Sequence, residues 1–329
     1  RKQAVITYAA QDGQQITLFL DGTNGTLSGI EQLFSDPLTG DAAAQISFDG
    51  YQPVEGIQMP GRRSITRAGE LVEDVRFLGI TINAPFPDSL LLRSTDLVDG
   101  NATTPPDTGL TRLGDGVYLL TGIAGGNNAL AVEFREFLVV IEAYGSDADS
   151  RRALARLRAA VPGKPIRYLV PTHHHDDHTG GLRTYIAEDV TILTTAGNRG
   201  YLEAMATGRW TLQRDLQAER NRPLRIETIS GKRHVIRDDT QVLELLDMGP
   251  SPHADEMLVA WLPNARVLFQ GDLLNRPADG RLRPANRTTR HFAAWLAQSG
   301  LPVERIAGVH GPVSTRADLD QSLALAGAQ

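Results

Sequence analysis

Residues 172–181 read Thr-His-His-His-Asp-Asp-His-Thr-Gly-Gly. Within them His173, His175, Asp177 and His178 fall at the spacing His-x-His-x-Asp-His. Imidazole nitrogen and carboxylate oxygen are the ligands that suit zinc and other borderline first-row metals. A single metal needs three or four such groups, and four of them crowd into this short stretch. The density points to two metals close enough to share and activate one water.

The stretch is delivered by an apolar run, Ile166–Val170, which reads as a buried strand. Strands are also expected at Val117–Thr121, Ala129–Phe134 and Phe137–Ile141. More follow near 190–194, 235–236, 241–246, 257–262 and 266–270, with a last one at Ile306–Val309. Between them, 148–161 reads as a helix, because Leu154, Leu157, Ala160 and Val161 form one stripe with arginines opposite. Asp147 or Asp149 is its expected cap. A second helix is expected over 288–299, capped by Thr288, with Phe292, Trp295 and Leu296 facing inward, and a third over Asp318–Ala326. Strand-rich and mixed segments alternate about twice, which favours sheet packed on sheet with helices outside.

Upstream the pattern changes. Residues 3–8, 14–20, 44–49 and 71–82 carry β-branched and aromatic residues in partial alternation, separated by Asp12-Gly13, Asp21-Gly22 and Asp49-Gly50. Asp-Gly marks hairpins because glycine takes positive φ without steric cost. The polar stretch 94–109, with Pro105 and Pro106, reads as a linker. The division expected is therefore a β-rich accessory domain over 1–105 and a catalytic domain over 106–329. None of the eight histidines lies in the first.

Composition narrows the chemistry. The chain has no cysteine, so thiolate ligands, disulfides and a cysteine nucleophile are excluded. Its net charge of −6 disfavours nucleic acid as a partner, and a small-molecule substrate is expected instead. No apolar run reaches the 18 or so residues of a membrane span. The sequence opens at Arg1 without Met, which raises the expectation of an exported, periplasmic or secreted protein.

Three further candidates sit beside strands. His253 lies in Gly-Pro-Ser-Pro-His-Ala-Asp-Glu ahead of the 257–262 strand, and Asp272 follows Val-Leu-Phe-Gln-Gly. His310 follows Ile-Ala-Gly-Val. Loop residues anchored by rigid strands are where ligands are usually placed. Gly271 and Gly311 beside two of them permit tight backbone paths.

His-x-His-x-Asp-His, then a distant His, an Asp after a strand and a final His together resemble the metallo-β-lactamase-fold hydrolases over roughly residues 110–329. The piece around Thr172–Gly181 is similar to that of glyoxalase II. The resemblance implies an α/β fold, a four-layer αβ/βα sandwich, here preceded by the smaller antiparallel β domain. It implies His173, His175 and His253 on one zinc, Asp177, His178 and His310 on a second, and Asp272 bridging both. It also implies a metal-bridging hydroxide as nucleophile, with Asp177 as the catalytic acid that orients it, attacking a carbonyl ester, lactone, thioester or β-lactam. Phosphoric- or sulfuric-ester hydrolysis and iron-dependent sulfur dioxygenation are the alternatives within the same fold. Many members with β-lactamase activity carry Cys, or no bridging acid, where this chain has Asp272. The family's acid before the first helix is Asp, whereas here Glu142 stands in that place.

The remaining features read more plainly. His174 is expected to point away from the ligand set, Asp176 to be solvated, His234 to be an exposed turn or strand-start residue and His291 to lie on the polar side of its helix. Gly122–Asn128 lacks the lysine and helix of a phosphate loop. It reads as a hairpin tip, and residues 123–127 as a flap. Trp210 is the candidate for a pocket wall.

Overall fold

The computed structural model describes residues 2–10, 14–85, 109–124, 126–277 and 280–327. The linker expected over 94–109, apart from Gly109, and the Asp12-Gly13 turn lie outside the described residues. The chain separates into two compact units, Arg1–Thr103 with Arg209–Gln213, and Thr104–Gly208 with Arg214–Gln329.

The first unit is an antiparallel sheet. Its strands are β1 (Gln3–Ala9), β2 (Gln15–Asp21), β3 (Leu27–Asp36), β4 (Gly40–Asp49), β7 (Arg62–Arg67) and β8 (Glu70–Arg76), in the spatial order β1-β2-β3-β4-β7-β8. Strands β5 (Gln52–Val54) and β6 (Ile57–Met59) form a separate hairpin. Register places Ile6, Leu18, Ile30, Ile46 and Ile65 in one row across five strands. Such a cross-strand row is how a sheet fixes its pairing. Strands β3 and β7 escape a pattern reading because their alternation is broken by charged and polar residues. The strand expected to continue to residue 82 stops at Arg76. Arg209–Gln213 joins this unit through Asp41, whose carboxylate accepts from the backbone N of Thr211 at 2.9 Å and of Leu212 at 3.0 Å. Trp210 sits beside Gly40 in this unit.

The second unit holds two sheets. One contains β9 (Leu110–Gly114), β10 (Val117–Ala124), β11 (Asn127–Glu133), β12 (Leu138–Ile141), β13 (Ile166–Val170), β14 (Thr191–Thr194) and β15 (Ile226–Thr228), each beside the next. The other contains β16 (Arg233–Arg237), β17 (Val242–Asp247), β18 (Leu258–Leu262), β19 (Val267–Gln270), β20 (Arg305–Gly308) and β21 (Ser314–Thr315). A buried core fills the space between them: Leu130, Val132, Val139 and Ile141 from the first, Leu243, Leu245, Ala260 and Phe269 from the second. Helix α1 (Asp147–Ala160) buries Ala153, Leu154 and Leu157 on the outside of the first sheet. Helices α6 (Arg287–Ser299) and α7 (Arg316–Gly327) cover the second with Phe292, Leu296 and Leu319. The shorter helices α2 (Asp176–Thr179), α3 (Leu182–Ala187), α4 (Ala196–Thr207) and α5 (Leu216–Arg220) follow β13 and β14. The result is the expected four-layer αβ/βα arrangement, with the antiparallel sheet of the first unit ahead of it. Among the described residues no helix is long and apolar enough to cross a membrane.

Two caps differ from expectation. Ser146, not Asp147 or Asp149, caps α1 by accepting from the N of Asp149. Asn286, not Thr288, caps α6 by accepting from the N of Thr289 at 2.8 Å. Both observed caps stand one or more residues earlier, and both are among the strongest capping types.

Strand direction explains where chemistry collects. Strands β12 and β13 are parallel, so the residues after each, from Glu142 and from Thr172, emerge at one edge. Strands β19 and β20 are also parallel, and β17 and β19 both oppose β18. The exits from β17, β19 and β20 therefore share an edge too, and they carry His253, Asp272 and His310.

Candidate metal centre

All seven expected residues converge in two overlapping clusters. His173, His175, His253 and Asp272 form one, and Asp177, His178, Asp272 and His310 the other, with the candidate ligand atoms of each within 4.8 Å of one another. In the first, Nε2 of His173 lies 3.0 Å from Nδ1 of His175 and 3.0 Å from Nε2 of His253. In the second, Nε2 of His310 lies 3.2 Å from Oδ2 of Asp177, and Nε2 of His178 lies 3.4 Å from Oδ1 of the same acid. Asp272 joins them. Its Oδ1 is 3.0 Å from His310 and 3.4 Å from His178, and its Oδ2 is 3.2 Å from His253.

The local backbone accounts for this convergence. After β13 the chain bends through residues 172–174, His175 is extended, and α2 starts at Asp176 and carries Asp177 and His178. Gly180 and Gly181 let the turn pack tightly: a Cβ on Gly181 would stand 2.3 Å from the carbonyl of Ala143. Glu142 fills the place of the family's usual aspartate. It is buried, holds φ of +80°, and sets Oε1 3.2 Å from Nδ1 of His178. A non-glycine residue in that region is strained, and such strain collects at functional sites. The other residues settle as follows. His174 turns toward Tyr201, with ring centroids 5.5 Å apart, and belongs to neither cluster. Asp176 is exposed. His234 stands at the start of β16, as expected, but is partly buried opposite Leu245, and His291 is half-buried in α6 where it was expected to be solvated.

The electrostatics divide the site. Burial, reinforced by His178, pushes the His173 imidazole far down, and burial with His253 lowers His175. Both are held neutral, the form that ligates a metal. Burial alone would lower His178, but the Glu142 charge and contact with Asp272 push it up to about 10. Contacts with Asp177 and Asp272 push His310 up to about 9. Burial opposes ionisation of Asp272 and Asp177, yet contacts with the histidines keep both below the usual carboxylate range. The two carboxylates thus create a field that draws positive charge between them.

These features fit a metal pair. Nε2 of His178 and Oδ1 of Asp272 are fully buried and make no hydrogen bond within the protein. Buried polar atoms that make no well-formed hydrogen bond are costly, and a cation beside them satisfies both. Gly271 adds a steric requirement, because a Cβ there would lie 2.6 Å from Oγ1 of Thr172 and 3.1 Å from Nδ1 of His173. Gly271→Ala is expected to displace His173. The expected loss is about 1–3 kcal/mol of stability together with weaker metal binding, read by thermal melts with and without added divalent metal.

The sequence reading did not single out Asn127 and Asn128 as residues with a role. Both belong to the hairpin joining β10 and β11, which is the hairpin expected at Gly122–Asn128. Nδ2 of Asn127 is 3.5 Å from Oδ2 of Asp177, so the hairpin reaches the site. An Asn-Asn pair opening an all-apolar buried strand is the signal that marks them, since a buried amide must find partners.

A family model described as the metallo-beta-lactamase superfamily matches residues 122–310. The chain belongs to the metallo-beta-lactamase superfamily. Among curated proteins, it is 28% identical over 171 residues to the 2,4-dinitroanisole O-demethylase subunit alpha of a Nocardioides species, covering 52% of this chain and 45% of that one. It is 34% identical over 58 residues to a linear primary-alkylsulfatase of a Pseudomonas species, covering 18% and 11%. The chain spans less than half the length of either relative. Among solved structures, the mono-zinc form of the metallo-β-lactamase FIM-1 from Pseudomonas aeruginosa superposes with a TM-score of 0.50. It is 21% identical, covering 67% of this chain and 95% of that one. At that identity the likeness concerns the fold.

Proposed function

We propose that this protein is a dinuclear zinc-dependent hydrolase. His173, His175 and His253 would hold one zinc, Asp177, His178 and His310 the other, and Asp272 both. The observation that carries the reading is the overlap of two clusters at a single carboxylate. A structural zinc needs four closed ligands and no bridge, whereas a two-metal site needs a shared acid. When bound, the metals supply a water acidic enough to attack at neutral pH and polarise the oxygen of the scissile group.

The chain's own part is placement and proton handling. Asp177 is the more open of the two acids, with a side chain 35% exposed against 10% for Asp272. It is the acid that orients the attacking water and takes its proton. Glu142 holds the His178 ring through Nδ1, leaving Nε2 to face the cluster.

The substrate class proposed is a carbonyl ester, lactone, thioester or β-lactam. A sulfuric ester is the second reading, favoured by the short match to an alkylsulfatase. An iron-dependent dioxygenase is disfavoured because it uses only part of this ligand set. Protein made without added metal is expected to carry about two zinc per chain by elemental analysis, and one iron would overturn the reading. A panel of a lactone, a thioester, a cephalosporin, an alkyl sulfate, an aryl phosphate ester and an aryl methyl ether then separates the classes. Turnover of the carbonyl substrates is expected to lead; exclusive turnover of the sulfate would replace the first reading with the second.

A further inference from the structure

The second half of the centre is built across two sheets. Asp177 and His178 follow β13 of one, and His310 follows β20 of the other. Ligand geometry of this kind fails on displacements of an ångström, so the two sheets need a tie at this point.

Asn128 makes that tie. It is the second residue of β11 and only 4% exposed. Its Nδ2 donates to the carbonyl of Gly308 at 2.9 Å and to that of Gly311 at 2.9 Å. Its backbone N donates to the carbonyl of Val309 at 2.7 Å. These three bonds straddle His310. Beside it, Asn127 pairs with His310 in an antiparallel bridge. A primary amide offers two donors on one nitrogen, and two carbonyl neighbours fix which way it faces. The loop is also tight: Gly311 holds φ of +82°, and a Cβ on it would lie 1.8 Å from the carbonyl of Arg276.

The first half has a different tie. The N of Leu258, at the start of β18, donates to the carbonyl of Thr172 at 2.8 Å. That bond joins the segment after His253 to the residue before His173, far along the chain from Asn128.

We infer that Asn128 is a positioning residue for His310, and that the two halves of the centre are held by separate cross-sheet ties and can be lost separately. The inference rests on the dinuclear reading above. Without the amide, the carbonyls of Gly308 and Gly311 lose their donor and the His310 loop loses its anchor, while the ligands of the first half keep theirs.

The test is a zinc titration of metal-stripped protein against a chromophoric chelator, comparing wild type with Asn128→Asp. The carboxylate keeps the shape and removes both donors. One of the two zinc equivalents is expected to bind about 10–100-fold less tightly, with the other unchanged. Asn128→Ser, which keeps one donor, is expected to fall between and gives the same reading if the aspartate variant does not fold. Two equivalents bound as in wild type, or both weakened alike, overturns the inference. A wild type that takes up fewer than two zinc overturns the dinuclear reading itself, and does so before any variant is compared.

Discussion

Asp272→Ala is expected to remove the second zinc and at least about a hundredfold of turnover, since even outer contacts of a metal site are worth 10–100-fold. The expectation follows from geometry. Asp272 is the one residue common to both clusters, touching His178 and His310 through Oδ1 and His253 through Oδ2. Alanine leaves His178 with only Asp177 as an acidic neighbour at Nε2, so the field that draws a cation between the halves is weakened. Asp272→Asn keeps the volume and loses the charge. It is expected to retain more stability than alanine but little more activity. Elemental analysis and kcat/KM on the best substrate of the panel read both effects. Full activity in Asp272→Ala would sink the two-metal mechanism.

The largest effect on stability is expected away from the metals. Arg183 follows the Gly180-Gly181 turn in α3, and its side chain is buried against Asp215. Nε lies 2.5 Å from Oδ2 and Nη2 3.2 Å from Oδ1, with side chains only 7% and 4% exposed. Nη1 also donates to the carbonyl of Ala206, and Asp215 caps α5 by accepting from the N of Ala218. Arg183→Met strands a buried carboxylate, which costs about 3–5 kcal/mol. At about 2–4 °C per kcal/mol for a unit of this size, the melting temperature should fall by about 6–20 °C. Adding Asp215→Asn removes the orphan charge and keeps a capping oxygen, so the double variant should melt above the single one. A double variant that melts lower still would show that packing, not the buried charge, dominates.

The metal residues were legible for a particular reason. Each sits on a loop or turn beside an apolar strand, and the decapeptide concentrates four of them in one short stretch. A pattern reading finds strands by their apolar runs, so it also finds what stands at their ends. It missed β3 and β7 because charges interrupt their alternation. It named Thr288 as the cap of α6, whereas the hydrogen bond from Thr289 N goes to Asn286. His291 was expected to be solvated and is half-buried, since the helix stripe is wider than the pattern suggested.

The sequence by itself determined the kind of chemistry. The absence of cysteine, the His-x-His-x-Asp-His spacing at Thr172–Gly181 and the three later ligands limit the site to imidazole and carboxylate. Those are properties of residue type and local spacing, which survive without coordinates. Only the tertiary structure decided that Glu142 reaches His178 and that Asn128 clamps the loop bearing His310. Those are contacts between residues far apart in the chain, set by which strands run parallel and by how two sheets are tied together. No spacing in a one-dimensional sequence encodes them.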